Sequence, residues 1–335
     1  MFQPPVIQHL AGERLHLSHG PIDVVLKAWG TTAAVRAAYA AAAGRFPRIL
    51  PELCAELAML RTPMHEGPHV AGPVARRMLE ACRPFADVFI TPMAAVAGAV
   101  ADELLAHMTA AAALKRAFVN DGGDIAVMVA PGHVLNVGVA GDYGRDDAGD
   151  CARHTAPRVN GAIRLDQASG IGGIATSGAR GRSFSLGIAD SVTTLAHNAA
   201  AADAAATLIA NAVNLDSPAI CRRPARDLDA DSDLRTLPVT VSVGPLTPAE
   251  IMTALASGLA RALHYRRRGL IADAALMLAG ATRTLGLAFQ GEAGHASNDV
   301  TKPQLEAHRS ARRRPRGLHL ELGAADHLPP SQSQA

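Results

Sequence analysis

Two hydrophobic periods alternate along the chain and divide it into strand-like and helix-like stretches. A period of two opens it. Val6 to Leu10 and Arg14 to Leu17 flank Ala11-Gly12-Glu13 as a hairpin, and Pro21 to Trp29 reads as a third strand with Trp29 as a core anchor. The period then lengthens. Thr31 to Ala43 predicts a helix capped by Thr31 or Thr32 and ended by Gly44. Leu50, Leu53, Leu57 and Leu60 predict a second helix over Ile49 to Leu60. A Pro-, Gly- and His-rich loop, Thr62 to Gly72, precedes a third from Pro73 to Arg83. In Ile90-Thr91-Pro92-Met93 a capping threonine stands before a proline suited to the first helical position, which starts a fourth helix toward His107.

Alternation returns at Ala117 to Asn120 and Ile125 to Val129, separated by Asp121-Gly122-Gly123-Asp124, and Pro131-Gly132 turns into Val134 to Val139. Gly141 to Gly161 is polar and reads as a long loop; its Asp146, Asp147 and Asp150 lack calcium-loop spacing. Ala162 to Asp166 is a short strand, and Phe184, Leu186 and Ile188 alternate up to Asp190. Leu195 to Val213 predicts a helix of small residues. A polar linker, Asp216 to Thr236, leads to a strand at Leu237 to Val243. Thr247-Pro248-Ala249-Glu250 has the form of a capping box and opens a helix to about Arg268, with a further helix over Leu270 to Thr284. The sum is a mixed α/β domain over residues 1–290, with a disordered polar and basic tail over 291–335.

Composition changes how such a domain is packed. Aromatics make up 3% of a chain that is 49% hydrophobic, so burial falls to aliphatic side chains and to close approach of backbones. A net charge of +2 gives no reason to expect nucleic acid. Cys54, Cys82, Cys151 and Cys221 show no paired spacing and suit a reducing compartment. No basic segment followed by an apolar run opens the chain, and Ala199 to Ala212 is short and carries Asp203 and Asn211. Neither a secretory signal nor a membrane partner is expected, and the expected location is the cytoplasm.

Candidate chemistry concentrates in Gly170 to Asn214. Gly172 to Gly178 is neither a phosphate-binding Walker loop nor a dinucleotide fingerprint. Thr176 and Ser177 nevertheless stand beside Arg180 and Arg182, and arginines with hydroxyls suit phosphate; a polar turn is an equal account. Asp203 and Thr207, four apart on one helix, can present a carboxylate and a hydroxyl to one point, a plausible Mg²⁺ half-site. The competing account has Asp203 facing solvent or paired with an arginine. Asn198, Asn211 and Asn214 extend the polar lining. The paired glycines of Asp121 to Asp124 make either a hairpin turn or amides aimed at a ligand. Ala94, Ala97, Gly98 and Ala101 form a side without bulk, for packing or for ligand approach. His65 and His69 are a weak zinc pair because Gly67 and Pro68 break the helix between them.

Three of these stretches, in this order, resemble the motifs of ApbE, the FAD-dependent FMN transferase family: FVNDGGDIAV from Phe118, IATSG from Ile174 and AAAADAAATLIANAV from Ala199. AAVAGAVAD from Ala94 is similar to that family's Ala-Lys-Gly helix, and GIATSG…GRSFSLGIADSVT looks like its uncharacterised cytoplasmic branch. The resemblance covers residues 1–290 and implies an ApbE-like fold, mainly antiparallel sheets packed with helices around a central cleft. It implies FAD and Mg²⁺, with Asp203 and Thr207 as metal ligands and the Ala97 region giving a carbonyl. Cofactor contacts carry over to Asn120, Gly122, Gly123, Ala97, Gly98, Thr176, Gly178 and Arg182, and catalytic roles to Asp124 and Ser177. The implied partners are a flavin nucleotide, an acceptor protein and a second copy of the chain. The pattern departs in two places: Ala97-Gly98 has no lysine, and the turn after the Ser-Gly is reduced to LGIAD. Three readings therefore stand: a transferase or FAD pyrophosphatase, a non-catalytic flavin or nucleotide module, and an enzyme of other small-molecule chemistry.

Overall fold

A computed structural model describes residues 3–142, 158–181 and 183–286. The period-two stretches fold as β1 (Val6–Leu10), β2 (Arg14–His19), β3 (Ile22–Trp29), β4 (Arg116–Asp121) and β5 (Asp124–Val129). The central region adds β6 (Leu135–Asp142), β7 (Arg158–Leu165), β8 (Gly173–Ser177) and β9 (Ser191–Ala196). Nine strands form one sheet in the order β1-β2-β3-β4-β5-β8-β9-β12-β13, where β12 is Asp273–Leu278 and β13 is Ala281–Thr284. Every neighbouring pair in it is antiparallel. A hairpin, a helical excursion and a second hairpin occur twice, as β2–β3 then β4–β5 and as β8–β9 then β12–β13. The halves meet where β5 and β8 pair through Ile125↔Ile174 and Ala126↔Gly173.

One face of the sheet carries the helices: α1 (Thr32–Ala55), α2 (Leu57–Leu60), α3 (Pro73–Cys82), α4 (Val96–Ala111), α5 (Ala199–Ala212) and α6 (Pro248–Arg267). The main core lies between these layers. On the opposite face, the β6–β7 hairpin covers a smaller cluster of Val127, Leu135, Ile163, Leu165, Ile174 and Leu195. Between α5 and the sheet the packing is reduced to Ala175, Ala196, Ala201, Ala202 and Ala206. A Cβ on Gly173 would lie 2.1 Å from the carbonyl carbon of Asn198, so backbone meets backbone there. This is how a chain with few rings closes its core.

Several expectations are corrected. α1 does not end at Gly44; it runs through Pro47 and Pro51. Each interior proline costs about 3 kcal/mol. The buried stripe Ala38, Ala42, Phe46, Ile49, Leu53 continues in phase, and each large side chain buried offsets roughly 1.5–3 kcal/mol. Leu270 to Thr284 is the β12–β13 hairpin and not a helix, turned by Ala279 and Gly280 at φ 50° and 82°. Pairing with β9 overrides its alanine- and leucine-rich composition. Leu195 belongs to β9, and α5 begins only at Ala199. Phe184 to Asp190 is not a strand. Instead, Gly187 lies against α5 so closely that a Cβ would sit 2.0 Å from the Ala210 carbonyl oxygen. The polar linker contains β10 (Ile220–Pro224), paired with β11 (Pro238–Val243). Trp29 is half-buried: it packs against the smaller cluster beside Phe118, with Lys27 and Arg116 over its ring. Asp146, Asp147, Asp150, Cys151 and the 291–335 tail lie outside the described residues.

Candidate functional site

The site is built where two helices cross. A Cβ on Gly98 of α4 would lie 2.3 Å from the carbonyl oxygen of Ala199 on α5, so this contact admits no side chain. The bulk-free face of α4 is thus first a packing device. The crossing lets each helix place a carboxylate at the other's N-terminus, where amides lack helical partners. Asp203, four residues beyond Ala199, accepts from the Gly98 N–H at 3.1 Å. Asp102, four residues beyond Gly98, accepts from the Ala199 and Ala200 N–H groups at 3.0 and 2.9 Å.

The two carboxylates sit in different surroundings. Asp203 faces the β4–β5 turn. Burial raises its carboxyl well above the usual carboxylate range and Asp124 adds to this; the Gly98 amide opposes, Asp121 raises it again and the Ala97 amide opposes. No arginine is paired with it by an ion pair among the described residues. Asp102 is nearly buried. Its carboxyl is raised by burial, against the pull of the Ala200 and Ala199 amides and of the Arg77 and His197 charges.

α5 is buried all round except along Asp203, Thr207, Asn211 and Ala212, so its half-open face is a polar stripe at helical spacing. Its N-terminus is capped by Asn198, whose side chain accepts from Ala201 N–H at 2.7 Å. Asn198 is therefore a cap, and it lines a cavity beside Asp102 and His197 at the other end of the crossing. Asn211 accepts from Leu186 N–H, and Asn214 donates to the Leu186 carbonyl and accepts from Arg222. Both hold the 185–187 segment in place.

The Asp-Gly-Gly-Asp stretch is the β4–β5 hairpin turn. Asp121 faces Asp124, and Gly122 and Gly123 have φ of 64° and 120°, which an L side chain rarely adopts. The amide of Gly123 is taken by the Asn120 side chain at 2.9 Å. Asp124 accepts from Thr176 N–H at 3.2 Å and so ties the turn to the end of β8. The Thr176 hydroxyl pairs with that of Thr193 at 2.9 Å, and half-buried Ser177 stands opposite Val192 of β9. Gly178 is small because a Cβ would meet the Asp190 carbonyl oxygen at 2.6 Å.

Hydrogen bonds thus tie Gly123 to Asn120 and Thr176 to Asp124 around the β4–β5 turn that holds Gly122, and Gly98 to Asp203 at the helix crossing. The Ala97 amide, like that of Gly98, lowers the Asp203 carboxyl. Arg180 is turned away from the hydroxyls by an ion pair with Asp190 at 2.8 Å, and Arg182 lies outside the described residues. Thr91 is not a helical cap; its hydroxyl donates to Asp233, and Pro92–Ala95 forms a 3₁₀ turn before α4. No group of three or more His, Cys, Asp or Glu side chains among the described residues could hold a metal ion, His65 and His69 included. Asp203 and Thr207 supply one carboxylate and one hydroxyl. That donor set fits Mg²⁺, which keeps several waters and takes substrate phosphates rather than an all-protein cage.

Asp121 entered the sequence reading only with its turn, and Asp102 not at all. A signal existed for Asp102: a small residue followed by aspartate at the fourth position occurs in both small-residue helices, Gly98 to Asp102 and Ala199 to Asp203. A cavity of about 500 Å³ lies elsewhere, between α1 and β1–β3.

A large antiparallel sheet under helices, with a carboxylate from one helix seated on the next, defines a mixed α/β protein whose candidate site lies at the helix crossing. The chain belongs to the family described as AbpE bacteria, whose model matches residues 7–284. It is 34% identical over 129 residues to UPF0280 protein MK0206 of Methanopyrus kandleri, across 38% of this chain and 44% of that protein. The chain thus spans less than half the length of that curated relative. The crystal structure of the ApbE protein from Thermotoga maritima superimposes with a TM-score of 0.41 at 15% identity, covering 84% of this chain and 96% of that one.

Proposed function

We propose that the chain is an ApbE-like flavin-binding protein that takes FAD with Mg²⁺ beside the helix crossing, and acts as a Mg²⁺-dependent FMN transferase or FAD pyrophosphatase. The observation that carries this reading is the Asp203 carboxylate of α5, seated on the Gly98 amide at the N-terminus of α4 and sharing the half-exposed face of its helix with Thr207. One carboxylate and one hydroxyl suit Mg²⁺, which keeps several waters and takes phosphate oxygens. Mg²⁺ held by Asp203 and Thr207 would neutralise the diphosphate of the nucleotide. Asn120, Gly122, Gly123, Gly98, Thr176 and Gly178 line the flavin side, and Arg182 with Ser177 attends the phosphates. Asp124, fixed by the Thr176 amide, takes the proton of the attacking hydroxyl as AMP leaves. In this reading the partners are a flavin nucleotide, an acceptor protein for the FMN and a second copy of the chain, in the cytoplasm. No helix among the described residues is long and apolar enough to cross a membrane.

A second reading, a flavin module without transfer, is favoured by one feature: Ala97-Gly98 offers no lysine where the resembled family has one. Two measurements separate the readings. FAD is titrated with and without Mg²⁺ into the wild type and Asp203→Asn, and released AMP is followed with a threonine-bearing acceptor. Mg²⁺-dependent binding lost in Asp203→Asn, with AMP release, supports the enzyme. Binding without AMP leaves the module, and no FAD binding overturns both.

A further inference from the structure

The edge strand β1 is bare on both faces. Ile7 and His9 stand opposite Leu17 and Leu15 and so share the helix-bearing face, yet they line an open groove of about 500 Å³ with Tyr39 and Val35 of α1. Val6 and Ile7 are 46% and 44% exposed. The outer edge of β1 has no strand partner among the described residues. The strand Val-Ile-Gln-His-Leu carries no Lys, Arg, Asp or Glu, the charges that usually keep an edge from pairing. The opposite edge, β13, carries Arg283.

We propose that β1 pairs antiparallel with β1 of a second copy of this chain about a two-fold axis through Gln8, joining the two nine-stranded sheets into one. Opposed residues in an antiparallel pair face the same side, so a two-fold axis must pass through a residue. Centred on Gln8, the register places all five residues in pairs: Val6 with Leu10, Ile7 with His9, and Gln8 with Gln8. Apolar groups then meet on the outer face, two side-chain amides can bond each other, and no like charges are opposed. Pro4 and Pro5 select this register. Centring on Ile7 would set Pro5 against His9 and Pro4 against Leu10, and proline has no N–H for the ladder. Ile7 and His9, uncovered in one copy, gain neighbours on the groove side.

The test uses the full chain in a Cys151→Ser, Cys221→Ser background, which removes the exposed thiol and the one outside the described residues. Light scattering is read across a dilution series for this protein and for Gln8→Pro. A dimer that becomes a monomer in Gln8→Pro, with a cooperative melting transition kept and only its concentration dependence lost, supports the proposal; β1 is exposed enough for the change to spare the fold. Mild oxidation then reads the register. Gln8→Cys forms a disulfide-linked dimer and Ile7→Cys does not. A monomer at every concentration, a dimer that survives Gln8→Pro, or crosslinking of Ile7→Cys in preference to Gln8→Cys overturns it.

Discussion

The two ends of the helix crossing are mechanically alike and electrostatically opposed. At each, a small residue admits the partner backbone, and an aspartate one turn later satisfies the amides of the other helix. Around Asp102 the nearby charges are Arg77 and His197; around Asp203 they are Asp124 and Asp121. The same device therefore meets opposite surroundings at its two ends. The capping geometry is structural at both, and in the proposed reading the Asp203 end is the one that takes a cation.

The crossing itself is the most sensitive point. Gly98→Val would drive a branched side chain into the Ala199 carbonyl and is expected to cost about 3 kcal/mol or more, read as a lower melting temperature and loss of both caps. Truncating each aspartate sharpens the contrast. Asp102→Ala strands two buried amides and is expected to cost about 1–3 kcal/mol in chemical denaturation. Asp203→Asn keeps an acceptor for Gly98 and removes a repelled charge, so stability should hold within about 1 kcal/mol or rise, while Mg²⁺-dependent FAD binding falls. Equal losses in both variants would show that the ends do not differ. The smallest effect is in pH. The Asp102 carboxyl is raised in the fold, so its contribution is full below the ordinary aspartate value and is lost as pH rises through the raised value. Asp102→Asn should flatten that part of the stability curve, leaving the opposite slope from Glu103. Burial raises the Glu103 carboxyl, but its bonds to Arg45 and Arg77 outweigh burial and lower it, so its contribution is lost as pH falls.

What was legible in the sequence followed from local chemistry. Glycine pairs and alternation revealed the β4–β5 hairpin, and the capping box at Thr247 is present, with Glu250 accepting from the Thr247 amide at 2.8 Å. The Asp203–Thr207 stripe was visible because a carboxylate in an alanine helix demands a reason. The failures lay where distant partners decide. Asp273 to Leu278 reads as helix until β9 is beside it, and Gly44 reads as a stop until the core holds Phe46 and Ile49. Asp102 and Asp203 are indistinguishable in one dimension, since their neighbours come from α3 and from the β4–β5 turn.

The thin junction between β5 and β8 has a kinetic meaning. Two residue pairs, the amide of Val127 on the Gly172 carbonyl at 2.9 Å and the amide of Thr176 on Asp124 at 3.2 Å join the two halves of the sheet. Each half is itself closed across a long stretch of chain, β3 on β4 and β9 on β12, so only the hairpins within it can form at little cost in loop entropy. A sub-global opening at the seam is expected to show in hydrogen exchange as amides of β5 and β8 that exchange together.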